Sequence, residues 1–236
     1  RPYVSTAISS GLSWEKVVCI SPFIVVEKPK QNKFRANYGI KPKDKLILCV
    51  ARMDPLKGQD RLLKALPKVI ETIPNLKCVF IGNGSMTKEI LKAQDKKQFD
   101  QELRELVKEL KLDQHAIFTG HIPRDDLNQA YKTCDVVVLP SIQEGFGLAI
   151  TEGMAFGKPV IGTATGGIMM QIWPGTNGYL VEPGNIEQLS GATQKILSNK
   201  THGNRLGKLG KQIYERNYSL KRGVRDNIEL YKEVSR

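Results

Sequence analysis

Short runs of apolar residues alternate with helical patterns along most of the chain. The runs are apolar at every position, which is typical of strands buried on both faces of a parallel sheet. Between them, apolar residues recur three or four positions apart, as on one face of an amphipathic helix. The alternation predicts about six βα units in a doubly wound, mostly parallel, Rossmann-like α/β domain.

The predicted elements follow one another in the order of βα units. The strands are predicted at Leu46–Ala51, Lys77–Ile81, Ala116–Thr119, Val136–Leu139, Pro159–Gly162 and Tyr179–Val181. The helices are predicted at Gln59–Thr72, Phe99–Lys111, Asp125–Thr133, Gly147–Phe156 and Ile186–Ser198, with a short one at Gly167–Ile172. Pro67 lies inside the first helix, where its missing N–H favours a bend.

Three segments are predicted along the chain. Residues 44–200 form the Rossmann-like domain, within which the polar, lysine-rich segment Ser85–Asp100 predicts a surface loop or insertion. Residues 1–43 form a linker and the remnant of a preceding region, and residues 201–236 form carboxyl-terminal helices. Strand-like pieces in the first segment are Val17–Ile20 and Phe23–Val26, and helical spacing in the last relates Leu220, Val224, Ile228 and Tyr231.

Composition excludes several classes of protein. The 236 residues are 40% apolar and 25% charged, as in ordinary globular chains and unlike disordered ones. The longest apolar runs have five or six residues, whereas a membrane-spanning helix needs about 20. The first residue is Arg1 and no signal-peptide pattern follows it, so we expect a fragment of a longer chain.

The chain is basic, with 36 Lys and Arg against 24 Asp and Glu and a formal net charge of +12. A nucleic acid, an anionic membrane surface, a phosphorylated substrate or solubility alone would each account for this charge. Basic residues are spread along the chain without an aromatic-interleaved stripe or a nucleic-acid-binding motif, so we do not expect a nucleic-acid partner.

Cysteine spacing gives no sign of a metal or redox site. Four cysteines lie in or beside apolar runs, and no two form a C-x-x-C pair. Buried free thiols in a reducing cytoplasm are the expected state. These cysteines are Cys19, Cys49, Cys78 and Cys134.

Candidate site residues follow the predicted strands, because ligands of open α/β sheets bind at the carboxyl ends of strands. After the first strand, Arg52 and Lys57 could converge on one anion, or could be incidental charges on a solvated turn. After the second, Gly82 and Gly84 lack the third glycine of a dinucleotide fingerprint and indicate a tight turn. After the third, the loop Thr119–Ile122 offers backbone amides within an ordinary turn.

The most informative segment follows the fourth strand. A glycine-rich turn, from Glu144 to Gly147, enters a helix, so backbone N–H groups and the helix dipole would face an anion. Glu144 and Glu152 could accept hydrogen bonds from sugar hydroxyls, or Glu152 could lie on a solvated helix face. After the fifth strand, Gly166 and Gly167 would let the backbone approach a ligand or a neighbouring element.

Together these motifs resemble the carboxyl-terminal half of the GT-B retaining glycosyltransferases of family 4, the group 1 glycosyltransferases. The resemblance rests on Arg52 with Lys57-Gly58, on E-G-F-G-L-A-I-T-E and on G-K-P-V-I-G-T-A-T-G-G-I. It covers about residues 44–200 and a carboxyl-terminal crossover helix. The run G-G-I-M-M-Q-I is similar to the trehalose-forming glycosyltransferring synthases.

The resemblance implies a role for each motif. Arg52, Lys57 and Glu144 would be catalytic, with the cations on the donor diphosphate and Glu144 on the donor sugar, while Glu152 would bind the ribose. The cations would replace a metal in neutralising the leaving diphosphate, so neither metal nor cofactor is implied. Other nucleotide-sugar contacts would come from Gly58, Gly82, Gly84, Thr119, His121, Ile122, Gly145, Phe146, Gly147, Leu148, Gly166 and Gly167.

The implied reaction is a retaining transfer of a hexose from an NDP-sugar, with UDP- or ADP-glucose favoured, to a hydroxyl of a sugar or lipid-linked acceptor. In such enzymes the amino-terminal half binds much of the acceptor, so the isolated chain is expected to be inactive without that domain. A non-enzymatic nucleotide-sugar-binding module, a related phosphorylase or epimerase, and a lipid glycosyltransferase in peripheral contact with a membrane remain as alternatives.

Overall fold

Six parallel strands form one sheet in the computed structural model, which describes residues 20–84 and 93–235 together with residues 9, 13, 17 and 18. They are β1 (Lys45–Val50), β2 (Leu76–Ile81), β3 (Ala116–Gly120), β4 (Val136–Leu139), β5 (Val160–Thr163) and β6 (Gly178–Val181). Their order across the sheet is β3-β2-β1-β4-β5-β6. Every neighbouring pair is parallel, so the predicted doubly wound α/β fold is confirmed.

Eight α-helices occur within the described residues. They are α1 (Phe34–Asn37), α2 (Gln59–Thr72), α3 (Ala93–Glu109), α4 (Arg124–Thr133), α5 (Leu148–Ala155), α6 (Ile186–Leu197), α7 (Lys200–Asn217) and α8 (Leu220–Val234). Two short 3₁₀ helices, Pro55–Lys57 and Gly166–Met170, follow β1 and β5.

Most predicted elements lie within two residues of the observed ones, and α2 continues through Pro67. The main correction concerns the polar segment Ser85–Asp100. Residues 93–100 are the first turns of α3 rather than a loop, and residues 85–92 lie outside the described part. The apolar face of α3 starts only at Phe99 and continues with Leu103 and Val107, all buried. Polar helix formers precede that face, and apolar periodicity does not detect them.

Both faces of the sheet are buried, as the continuous apolar runs predicted. One layer packs Ile47, Cys49 and Phe80 against α2, α3 and α6, and the other packs Leu46 and Leu48 against the opposite helices. The second layer also contains Phe34 and Ile40, from the segment predicted as a linker. These two side chains are almost completely buried. Residues before 44 therefore contribute to the core.

The strand-like piece Phe23–Val26 is not a strand. Ile24 makes a single parallel bridge with Ser219, and its N–H donates to the carbonyl of Tyr218 at 3.1 Å. No described residue of Val17–Ile20 is in a strand either, and Cys19 lies outside the described part. Phe23 and Ile24 instead pack at the junction of α7 and α8, where Phe23 meets Gly223 and the carbonyl of Ile24 accepts the hydroxyl of Tyr214 at 3.1 Å.

Helix α8 carries an exposed apolar stripe. Its members are 44–75% exposed: Leu220, Val224, Ile228, Tyr231 and Val234. Beside this stripe Gly223 packs directly against the ring of Phe23. Among the helices of the described residues, none combines the length and the apolar character needed to cross a membrane.

Candidate functional site

A cavity of about 490 Å³ lies at the carboxyl ends of β1 and β4. These neighbouring strands mark the point where the strand order reverses, and open α/β sheets form their ligand crevice at such a point. The lining brings together seven of the predicted site residues, namely Arg52, Lys57, Glu144, Phe146, Gly147, Leu148 and Glu152. Val50, Ala51, Leu139 and Ala149 complete it.

The two predicted cations reach the cavity from the loop after β1. Arg52 lies two residues beyond the end of β1, and its half-exposed guanidinium lies 3.9 Å from Asp54. Lys57 ends the 3₁₀ helix that Asp54 caps by accepting the N–H of Leu56 at 2.9 Å. The capped turn therefore sets the direction of both side chains.

Gly58 allows this loop to meet the loop after β4. Its φ is +71°, and a Cβ atom at this position would overlap the carbonyl oxygen of Pro140. Glycine is the residue that accepts both the positive φ and the close approach. Gly58 thus acts on the site by bringing the two loops together, and it is not among the cavity-lining residues.

Lys57 and Glu144 form an ion pair across the floor of the cavity. The ammonium lies 2.8 Å from Oε2 of Glu144, and both side chains are about 15% exposed or less. The hydroxyl of Ser141 donates to the same oxygen at 3.2 Å, and the N–H of Gly145 donates to Oε1 at 3.1 Å. The carboxylate is therefore fixed by groups from both loops.

The amino terminus of α5 opens on the same cavity. Gly147 caps the helix with a φ of +88°, and Leu148 begins it with a half-exposed side chain. The first N–H groups of a helix have no acceptor within the helix and carry its positive dipole end. The helix start, Arg52 and Lys57 make this side of the cavity suited to an anion.

Glu152 lies inside the protein, which excludes the solvated helix face considered above. Its side chain is 11% exposed, and Oε1 lies 2.6 Å from Nη1 of Arg124, which is 52% exposed. The fully buried Tyr131 lies beside it. Burial, reinforced by the charge of Glu152, raises the pKa of the Tyr131 phenol well above its ordinary value.

Sequence reasoning missed Arg124 and Tyr131. Arg124 begins α4, in the connection that follows β3, so inspection of residues beyond the turn after that strand would have found it. Tyr131 gives no such signal, because it looks like any apolar position of an amphipathic helix.

Gly166 and Gly167 pack against a neighbouring element and do not line the cavity. A Cβ atom on Gly166, whose φ is +47°, would overlap the carbonyl oxygen of Glu144. The N–H of Gly167 donates to the carbonyl of Gly145 at 3.0 Å. The glycine pair therefore supports the loop from Glu144 to Gly147 from behind.

The predicted residues after β2 and β3 also lie outside the cavity lining. A Cβ atom on Gly82 would overlap the carbonyl oxygen of Ala51, and Gly84 pairs with Met53. The N–H of His121 donates to Asn83 at 2.8 Å. Ile122 is buried in the core, and the Thr119 hydroxyl donates to the carbonyl of Gly120 at 2.9 Å. Thr119 therefore belongs to β3 itself, and the others lie in or next to the turns that follow β2 and β3.

A larger groove of about 810 Å³ lies away from the strand ends, at the junction of α7 and α8. Its arginines include Arg222, which is paired with Asp226 at 2.6 Å. The start of α8 lies in this groove, but the Ser219 hydroxyl already caps it by accepting the N–H of Arg222 at 3.4 Å, and no glycine lines the groove. In the described part of the chain, no three His, Cys, Asp or Glu side chains come together as metal ligands would.

Comparison with known proteins places this geometry in a family context. Residues 30–216 match the family model described as glycosyl transferases group 1. An uncharacterised glycosyltransferase of Methanocaldococcus jannaschii is 30% identical over 223 residues, covering 94% of this chain and 50% of that protein. A trehalose synthase of Thermococcus litoralis is 28% identical over 235 residues, covering 94% and 54%. The chain thus spans about half the length of these relatives.

Solved structures share the fold. Anabaena HepE, crystallised in complex with UDP-glucose, superimposes with a TM-score of 0.82 at 23% identity. The superposition covers 98% of this chain and 61% of that protein.

Proposed function

Because the chain belongs to the group 1 glycosyl transferase family, we propose that it binds the nucleotide-sugar donor of a hexosyltransferase in the cavity between β1 and β4. One observation carries this proposal: two cations, a helix start and two carboxylates meet in one cavity at the point where the strand order reverses. These are the groups that a diphosphate flanked by two sugars requires.

Each end of the donor has its own partners in this proposal. Arg52, Lys57 and the first amides of α5 hold the diphosphate. Glu144 accepts hydrogen bonds from hydroxyls of the transferred sugar, and Glu152 accepts them from the ribose. The ammonium of Lys57 now contacts Glu144, so it exchanges part of that contact for a phosphate oxygen when the donor binds.

The proposed reaction is hexose transfer with retention at the anomeric carbon. The acceptor oxygen bonds to the anomeric carbon, and its proton passes to an oxygen of the departing diphosphate. The bond from that carbon to the diphosphate breaks, and its electron pair leaves with the diphosphate. Fixed cations and helix N–H groups stabilise the developing negative charge without reorganisation. In this proposal they replace a metal, and the protein needs no cofactor.

Glucose carried by UDP or ADP is the donor we favour. The similarity to a trehalose synthase, and the solution of a similar fold in complex with UDP-glucose, support this choice. A sugar hydroxyl is the favoured acceptor. Burial raises the pKa of the thiols of Cys49 and Cys134 to about 12, which keeps them protonated and suits the reducing cytoplasm that we propose as the location.

An amino-terminal domain completes the enzyme in this proposal. It supplies the acceptor surface and the second wall of the cleft, and the exposed stripe of α8 packs against it. Covering that stripe removes apolar surface from water, which stabilises the assembly.

Ligand-dependent unfolding tests donor binding. The chain is heated with UDP, ADP, GDP and their glucose conjugates, and the affinity of the best ligand is measured by calorimetry. A ligand at 100 times its Kd stabilises the native state by about 2.7 kcal/mol, so at least one diphosphate is expected to raise the unfolding temperature. The corresponding nucleoside serves as the control without phosphates. Absence of a shift with every diphosphate at millimolar concentration would contradict the proposal.

A further inference from the structure

Gln171 lies directly behind the glycine-rich loop of the site. It follows the 3₁₀ helix Gly166–Met170 and is completely buried. Its Nε2 donates to the carbonyl of Phe146 and lies 3.5 Å from the carbonyl oxygens of Gly147 and Gly167. One side-chain amide thus faces three backbone oxygens.

Neighbouring groups fix the orientation of this amide. The hydroxyl of Thr151 donates to Oε1 of Gln171 at 2.6 Å. A hydroxyl can donate and the carbonyls can only accept, so the amide fits with its oxygen toward Thr151 and its NH₂ toward the carbonyls. The buried Asn177 donates to the backbone carbonyl of Gln171 at 2.8 Å. The residue is therefore held at both its main chain and its side chain.

The burial of a polar side chain such as Gln171 indicates a hydrogen-bonding role that an apolar side chain could not fill. Burying an amide costs free energy unless its hydrogen bonds are made. Gln171 makes these hydrogen bonds with the loop that lines the cavity. Among the described residues, its side-chain amide is the group that donates to the carbonyl of Phe146. An apolar side chain of equal size would fill the space and leave this carbonyl without that donor.

The geometry of the peptide group links Gln171 to the cavity. In a trans peptide the carbonyl of one residue and the N–H of the next point in opposite directions. When Gln171 holds the carbonyl of Phe146, the N–H of Gly147 is directed away from Gln171. Phe146 and Gly147 both line the cavity, whereas Gln171 is completely buried and is not among the lining residues.

We propose that Gln171 is a positioning residue of the donor site, which aims the N–H of Gly147 at an oxygen of the donor diphosphate or sugar. It touches no donor atom and acts through the Phe146–Gly147 peptide. This inference rests on the proposed function, since it presupposes a phosphorylated sugar in the cavity. Preorganised N–H groups bind an anion without paying for reorganisation on binding.

Two substitutions separate positioning from packing. Gln171→Met keeps the length and removes the donor. Gln171→Glu keeps an acceptor for Thr151 and regains a donor only when its carboxyl is protonated. Gln194→Met is the matched control, because Gln194 donates to the carbonyl of Lys68 at 2.8 Å, on helices remote from the cavity.

Calorimetry with UDP and ADP, and with uridine and adenosine, gives the main readout. Below its unfolding temperature, Gln171→Met is expected to bind the better diphosphate about tenfold more weakly, the size of one hydrogen bond to a charged group. Its affinity for the nucleoside is expected to stay unchanged. Gln194→Met is expected to bind both ligands like the parent chain.

Gln171→Glu adds a pH dependence of diphosphate affinity, which a role in packing alone would not produce. The ionised carboxylate would face backbone oxygens, and the two acidic side chains that line the cavity, Glu144 and Glu152, are each paired with a cation. Burial favours the protonated form of the new carboxyl. Diphosphate affinity relative to the parent chain at the same pH is therefore expected to recover as the pH falls.

The outcomes distinguish the inference from the proposed function. If the parent chain binds no diphosphate, the proposed function is wrong and this inference falls with it. If the parent chain binds and folded Gln171→Met binds equally well, the inference alone is overturned. A loss that is equal for diphosphate and nucleoside would also overturn it, since it would indicate general damage.

Discussion

The ammonium of Lys57 lies 2.8 Å from the carboxylate of Glu144, so a cation assigned to the diphosphate and an acid assigned to the sugar already contact one another. Each group belongs to a different loop. The pair keeps both charges compensated before a ligand enters, and replacing one partner alone leaves the other charge largely buried and without its counter-charge.

Replacing Arg52 and Lys57 together with Ala is expected to weaken nucleoside-diphosphate binding by roughly two to four decades. Each cation contributes a charge-assisted contact of about 1.5–3 kcal/mol, at 1.4 kcal/mol per decade. Calorimetry checks the change. Lys68→Ala is the control, because Lys68 pairs with Glu187 on exposed helix surfaces away from the cavity. Unchanged affinity in the double variant would show that neither residue binds the diphosphate.

The two acids are expected to respond differently. Glu144→Gln should reduce sugar transfer by the complete enzyme more than it reduces binding of the bare nucleotide. Glu152→Ala should weaken binding of the bare nucleotide as well, because its expected partner is the ribose.

Affinities for UDP and UDP-glucose, measured side by side, separate the two roles. Because Glu152 is paired with Arg124 at 2.6 Å, Arg124→Ala serves as a second variant that leaves the acid in place. If Glu144→Gln lowered the affinity for UDP as much as Glu152→Ala did, the division between sugar and ribose would be wrong.

Gly166→Ala is expected to destabilise the protein and weaken diphosphate binding together. The added Cβ would overlap the carbonyl of Glu144, and the φ of +47° is unfavourable for alanine. Strain at such a position costs about 1–3 kcal/mol before any displacement of the loop. Chemical denaturation and calorimetry measure the two effects.

Gly191→Ala provides the opposite case on α6, where a Cβ atom would meet nothing within 4 Å. It is expected to stabilise the protein by about 0.5–1 kcal/mol and to leave binding unchanged. Equal stability of the two variants would show that the loop behind the site tolerates a side chain at position 166.

The 236-residue chain alone is expected to bind nucleotide without transferring sugar. All the donor contacts proposed above lie within residues 52–152, whereas the acceptor surface is assigned to another domain. With an open cleft and an acceptor that is not held in position, the activation free energy of transfer is several kcal/mol higher than in a complete enzyme. A product assay with labelled UDP- and ADP-glucose and a panel of sugar acceptors tests this, with a complete family member as the positive control. Turnover of about 1–1000 per second would show that this chain alone contains a complete active site.

Much of the fold followed from the apolar runs, because a strand buried on both faces, such as β4 at Val136–Leu139, has no polar positions to obscure it. The loops after β1 and β4 were identifiable for a related reason: parallel strands present their carboxyl ends at one edge, so Arg52 and Glu144 had to lie near one another. The pairing of Glu152 with Arg124 was not predictable, since it depends on the direction of a helix that follows another strand. The extent of α3 was missed because its first turns carry no apolar periodicity.

The junction of β1 and β4 also has a kinetic consequence. It pairs Ile47 with Val136 and Leu48 with Val137, residues far apart in the chain, so forming it closes a long loop and costs more entropy than forming a local contact. The cations Arg52 and Lys57 follow β1. The start of α5 and the two acids, Glu144 and Glu152, follow β4. A bound diphosphate would tie the two sides together and slow their separation. Unfolding rates measured with and without the diphosphate should therefore differ, and amide exchange along β1 and β4 should slow together.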